Sequence, residues 1–142
     1  MPESNVATAR TVFDGFNARD FDAATKATAT DFVFTDHATG MTLKGADEFK
    51  MFLAAWERGF SNGVLTDAQY YASGDTVVAK TVFTGTNDGP FGPLPATGRA
   101  ASLPVCAIWH FDESGKIAWQ EAYYDQLSLL VQLGHENPTP ET

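Results

Sequence analysis

Around residue 60 the spacing of apolar side chains changes from helical to strand-like, and this switch limits the possible folds more than any single motif. Upstream of it, Ala9, Val12, Phe13 and Phe16 share one face of a predicted helix over 5–19, with Ser4 or Asn5 as its N-cap. A short helix is predicted over 22–28, capped by Asp20 or Asp22, followed by a β-prone stretch over 31–37. A third helix is predicted over 47–60. Its Phe49, Phe52, Leu53, Trp56 and Phe60 form an i, i+3, i+4, i+7, i+11 stripe, and Asp47 and Glu48 sit where the helix dipole favours acids.

Downstream, strands are predicted over 64–72, 76–86, 98–111 and 116–124, separated by turn signals at 73–75 and 112–115 and by a Pro- and Gly-rich loop over 87–95. Pro104 predicts a bulge or an edge inside the third of these. Asp125 then precedes a short helix through Leu133, with Gly134 where a left-handed cap is wanted. Helices followed by long hairpins make an α+β domain.

The 142 residues suit one domain over 1–142, with a core at about 5–134 and a frayed tail over 135–142. A net charge of −9, with nine scattered Lys and Arg, argues against a nucleic-acid partner. No apolar run approaches the length of a membrane span, and the first four residues lack the design of a signal peptide, so a cytoplasmic protein is expected. Cys106 is the sole cysteine, which leaves no internal disulfide, and it reads as a buried thiol. Neither a metal-spaced His/Glu cluster nor a phosphate loop is present, so no metal or cofactor is expected. The 13% aromatic content either fills the core or lines a pocket for a flat, apolar small molecule.

Several stretches resemble the SnoaL-like polyketide (ester) cyclase family of the nuclear-transport-factor-2-like superfamily. They include 16–22, Lys44-Gly45-Ala46-Asp47-Glu48-Phe49, Leu94-Pro95-Ala96-Thr97-Gly98-Arg99, and Asp125 before a helix ending Gln132-Leu133-Gly134. The fold this implies is a curved, mixed or antiparallel sheet rolled into a conical half-barrel and closed by the N-terminal helices, the cystatin-like arrangement. The implied activity is a cofactor-independent intramolecular aldol ring closure on a polycyclic or polyketide-like molecule. In it Asp125 is the acid–base residue and His110 assists. One departure stands out: the family's loop often reads Gly-Thr-His-Thr-Gly, whereas Asn87 occupies the His position here. The superfamily also holds limonene-type epoxide hydrolases, isomerases, hydroxylation partners and non-catalytic binding modules, so fold alone does not select the chemistry.

Read as residues alone, alternation on the last strand puts Trp119, Glu121, Tyr123 and Asp125 on one face, joined by His110 from the neighbouring strand. His37 joins them if the first strand turns Val33, Thr35 and His37 toward the cavity. Enclosed by aromatics, a carboxylate there would have its pKa raised toward that of a useful base. Asp125 has a second reading as a plain N-cap, which would stabilise its charged form instead. Trp56 is core or pocket wall. Arg99 is a candidate partner for Asp125 or Glu121, an arrangement suited to epoxide opening. Phe91 marks a lid or rim. The expected substrate contacts are therefore His37, Trp56, Asn87, Phe91, Arg99, Trp119, Glu121 and Tyr123. A homodimer is expected, with Val105, Trp109 and Phe111 supplying its apolar face.

Overall fold

A computed structural model describes residues 2–135. Of the expected frayed tail over 135–142 only His135 is among the described residues, and its backbone N–H donates to Leu130 O at 2.9 Å; the rest falls outside them. Helix α1 (Pro2–Asn17) is followed by α2 (Phe21–Thr25), β1 (Thr28–Asp36), β2 (Met41–Lys44), α3 (Gly45–Gly59), β3 (Val64–Ser73), β4 (Thr76–Thr86), β5 (Ala100–Phe111), β6 (Ile117–Tyr124) and α4 (Gln126–Leu133). The expected α+β order holds. Strand β2 is the addition, four residues too short for a period to show. Asp20 caps α2 by accepting from Ala23 N, and Gly134 ends α4 at φ 88°.

The six strands form one curved, unclosed sheet in the order β2-β1-β6-β5-β4-β3. All neighbours are antiparallel except β1 and β6, which run parallel. This parallel pair lets the early strand close beside the last one and brings residues 33–36 next to 119–122. Pro104 does lie at a local edge. It pairs with Val82 of β4, whereas pairing with β6 begins only at Val105, so the missing N–H breaks no ladder bond to β6. A register shift falls instead between His110 and Phe111.

Helices α1 and α3 lie across one face of the sheet. Ala9, Val12, Phe13 and Phe16 of α1, with Phe49, Leu53 and Trp56 of α3, are buried there. They meet Phe32 and Phe34 of β1, Val77, Ala79 and Phe83 of β4, and Leu103, Ala107, Trp109 and Phe111 of β5. Trp109 is fully buried, its ring edge-on to Phe13 at 5.1 Å. The expectation that Val105, Trp109 and Phe111 form an outward dimer face is therefore corrected. They belong to the most apolar face of β5, and that face goes to the core because it gains most from leaving water.

Candidate functional site

Between the helices and the sheet lies a hollow of about 80 Å³. Phe13 and Phe16 of α1, Phe49, Phe52, Leu53 and Trp56 of α3, Phe34 of β1, Leu65 of β3 and Phe83 of β4 contribute apolar walls. Its floor is Ala107 of β5 beside Ala122 of β6, which are cross-strand partners. Two small side chains at one register position leave room above them. Trp56 is the hub of the wall, with the rings of Phe83, Phe91 and Tyr124 between 4.7 and 5.6 Å from its own.

Among the described residues, Gln120 and Tyr124 bring polar side chains to this hollow, beside the indole of Trp56. Tyr124 donates its hydroxyl to Asp36 Oδ2 at 2.7 Å, and Asp36 Oδ1 accepts from Ala38 N at 3.0 Å. Asp36 has no exposed surface at all. Burial, together with the hydrogen bond to Asp36 and its negative charge, pushes the Tyr124 phenol far above its ordinary range. The phenol therefore keeps its proton at every physiological pH. Asp36 shares its face of β1 with Phe32 and Phe34, and Gln120, Ala122 and Tyr124 share theirs of β6.

The opposite parity assembles a second polar group, on the outer face of the sheet. There Glu121 is buried under two imidazoles: His37 Nε2 lies 2.9 Å from Oε1 and His110 Nε2 lies 2.7 Å from Oε2. Tyr123 donates its hydroxyl to Oε1 at 3.3 Å. The His37 ring stacks on Tyr123 at 4.2 Å and the His110 ring on Trp119 at 4.4 Å. The Trp119 indole N–H bonds Thr35 Oγ1 at 3.0 Å. Burial works against the charge on Glu121, yet hydrogen bonds from both histidines outweigh it and hold the carboxyl below its ordinary value. Both ring nitrogens then act as donors to one carboxylate. Among the described residues, no group of three or more His, Cys, Asp or Glu is arranged to hold a metal ion.

Sequence alternation thus brings His37, His110, Trp119, Glu121 and Tyr123 together, but on the face that points away from the hollow. Of the expected contacts, Trp56 lines it. Asp125 is exposed and caps α4, its Oδ1 accepting from Ser128 N at 2.9 Å. Asn87 is fully buried but committed to structure. Its amide donates to Gly59 O and Gly89 O, and its oxygen accepts from Thr97 N. It ties the loop after β4 to the end of α3. Phe91 packs there too, 4.7 Å from Trp56 and 5.6 Å from Phe60, outside the hollow. Arg99 makes no ion pair with Asp125 or Glu121; its guanidinium lies against Gly134 at the end of α4. Asp36, Tyr124 and Gln120 escape the sequence reading. The signal for them is Phe32 and Phe34, whose apolar parity on β1 fixes Asp36 as inward.

The outer cluster has a measurable consequence. A carboxyl depressed by folding adds stability at pH values above its unfolded value of about 4.3, and that stability is lost as pH falls through the folded value. Glu121→Gln is expected to lower unfolding free energy by about 1.5–3 kcal/mol at pH 7, the worth of hydrogen bonds to a charged group. The gap to the unsubstituted protein should narrow below about pH 4. Urea titrations across pH read both effects; a gap independent of pH would show that the carboxylate charge is not what holds the imidazoles.

The family model described as SnoaL-like polyketide cyclase matches residues 7–133. No curated protein matches the chain. Among solved structures, a protein assigned as a SnoaL-like polyketide cyclase from Jannaschia sp. CCS1 is 21% identical, with 96% of this chain and 95% of that one covered at a TM-score of 0.86. One assigned as a polyketide cyclase from Xanthomonas campestris pv. campestris is 24% identical, covering 94% and 98% at 0.81. A protein from Catenulispora acidiphila with a ketosteroid isomerase-like fold, in complex with trimethylamine, is 21% identical, covering 96% of each chain at 0.76. At these identities the structural likeness establishes the fold. The family rests on the sequence match over nearly the whole chain, and by it this protein belongs to the SnoaL-like polyketide cyclase family.

Proposed function

We propose that the protein is a cofactor-independent acid–base enzyme acting on a ring-containing, polyketide-like small molecule held in the aromatic hollow, with the Asp36–Tyr124 pair as its proton-transfer group. The observation that carries this reading is a fully buried carboxylate bonded to a phenol that lines the hollow. Asp36 stands behind Tyr124, so a proton leaves the substrate by relay. The phenol oxygen takes the proton from a carbon α to a carbonyl while its own proton passes to Asp36 Oδ2. The resulting enolate attacks a second carbonyl of the same molecule, and the relay runs backward to protonate the new alkoxide. Protons balance, and no external acid is consumed. Aromatic walls exclude water and hold the chain of the substrate folded, which supplies proximity.

Asp125 remains the alternative base that the family resemblance implies, and the two carboxylates are separable by experiment. Deuterium uptake from heavy water into 2-tetralone, a bicyclic ketone with acidic α-hydrogens, reports the first step by NMR. Asp36→Asn is expected to slow uptake by about 10²–10⁴-fold, the range of a lost acid–base group. Loss in Asp125→Asn with none in Asp36→Asn would return the chemistry to the end of β6. Binding of the ketone without exchange in any form of the protein would favour a non-catalytic binding module.

A homodimer through the outer face of the sheet is also proposed. Trp119 and Tyr123, 38% and 43% exposed, flank the Glu121 cluster there, where the core-facing Trp109 and Phe111 have no part. Sedimentation at micromolar concentration should give twice the 15.3 kDa chain mass, and Trp119→Glu should halve it. A monomer mass for the unsubstituted protein would remove the proposal.

A further inference from the structure

Gln120 is 4% exposed, lines the hollow, and its side-chain oxygen Oε1 has no hydrogen-bond partner. This is unusual. Buried polar atoms are nearly always paired, because an unpaired one forfeits its hydration without return. Apart from the Trp56 indole and Tyr124 the wall of the hollow is apolar, and the Tyr124 hydroxyl already donates to Asp36. No side chain of the wall bonds Oε1, and the indole N–H of Trp109, opposite Gln120 in the β5–β6 register, is likewise unpaired.

We infer that Gln120 is a specificity residue for the ligand of the hollow, and that the ligand is a neutral, flat ring compound carrying a hydroxyl directed at Gln120. The inference rests on the reading of the hollow as a substrate site and narrows the class of molecule it takes. Three features select this chemistry. The Phe and Trp walls and the Ala107–Ala122 floor favour a planar ring. The absence of a cationic side chain among the lining residues disfavours an anion, whose charge would go unmatched. A hydroxyl both donates and accepts, so it satisfies the amide in either orientation.

Position sets the orientation of the guest as well. Gln120 and Tyr124 are four residues apart on one face of β6, about 13 Å along the strand. Ala122 lies between them. The ring thus rests over the alanines with its hydroxyl at the Gln120 end and its reacting carbon toward Tyr124 and Asp36. At about 80 Å³ the hollow as it stands is about half the roughly 150 Å³ that takes benzene, so a ring is admitted only as the half-buried Phe52, Leu65 and Val105 side chains give way. Further rings of a larger substrate extend past the same three side chains.

Phenol and toluene are matched in size and differ in the hydroxyl, so the pair isolates the amide. Affinities for both, followed by Trp fluorescence or calorimetry, are compared in the unsubstituted protein and in Gln120→Leu. The expected result is that the substitution weakens phenol relative to toluene by about tenfold, the worth of one buried hydrogen bond. A melting temperature for ligand-free Gln120→Leu at or above that of the parent is also expected, since an unpaired acceptor is removed. If both probes bind and their ratio does not change, Gln120 does not select the hydroxyl and the inference falls while the hollow stands as a binding site. Binding of neither probe to the unsubstituted protein overturns the reading of the hollow itself, and the inference with it. A marked fall in melting temperature on substitution also overturns it, because Gln120 would then be serving the fold.

Discussion

The inward turn of Trp109 sets the sidedness of the central strands, and with it the placement of both polar assemblies. A strand has two faces, and β5 offers Leu103, Ala107, Trp109 and Phe111 on one and Ile108 and His110 on the other. Burying the first set removes the most apolar area from water, so that set meets α1 and α3. Hydrogen-bonded register then propagates the choice. Trp109 opposes Gln120, and Ala107 opposes Ala122, so Gln120, Ala122 and Tyr124 are carried inward. The parallel pairing of Phe34 with Gln120 and of Asp36 with Ala122 carries Asp36 inward with them. A one-residue slip anywhere in this chain of pairings would exchange the hollow and the outer surface.

The sheet consequently separates two polar assemblies by no more than its own thickness. Inside, a carboxylate is paired with a phenol in a nearly apolar enclosure, where electrostatic interactions are strong and a moved proton has few alternative destinations. Outside, Glu121 is satisfied by two imidazoles and a phenol, and the stacked rings of Tyr123 and Trp119 hold those imidazoles in place. The outer group has the richer chemistry by composition. It lacks the enclosure of the inner one. Asp36 has no exposed surface, whereas the two imidazole side chains outside are each 34% exposed.

The elements are legible in the sequence because each carries its own period. The α3 stripe, the Asp20 cap and Gly134 all act locally, and local signals survive folding. Grouping His37, His110, Trp119, Glu121 and Tyr123 on one face is also legible, since alternation needs only parity. Turning that group toward the helices is the error in the sequence reading, although Trp109, Phe32 and Phe34 hold the information that corrects it. Parity is a relative quantity, and polar residues that look catalytic are poor guides to its sign; bulky apolar ones are better. Asp125 and Asn87 illustrate a different limit. Each has a residue type suited to chemistry and a position that commits it to capping or loop anchoring, a commitment visible only once the partners are in place.

The proposed inward site is tested most directly by NMR titration of the protein, labelled at alanine methyls and histidine Hε1, with 2-tetralone. The methyls of Ala107 and Ala122 should shift in a saturable manner, while the rings of His37 and His110 stay unmoved. Saturable shifts of the two histidines with silent alanine methyls would contradict it, and would place the ligand on the outer face of the sheet.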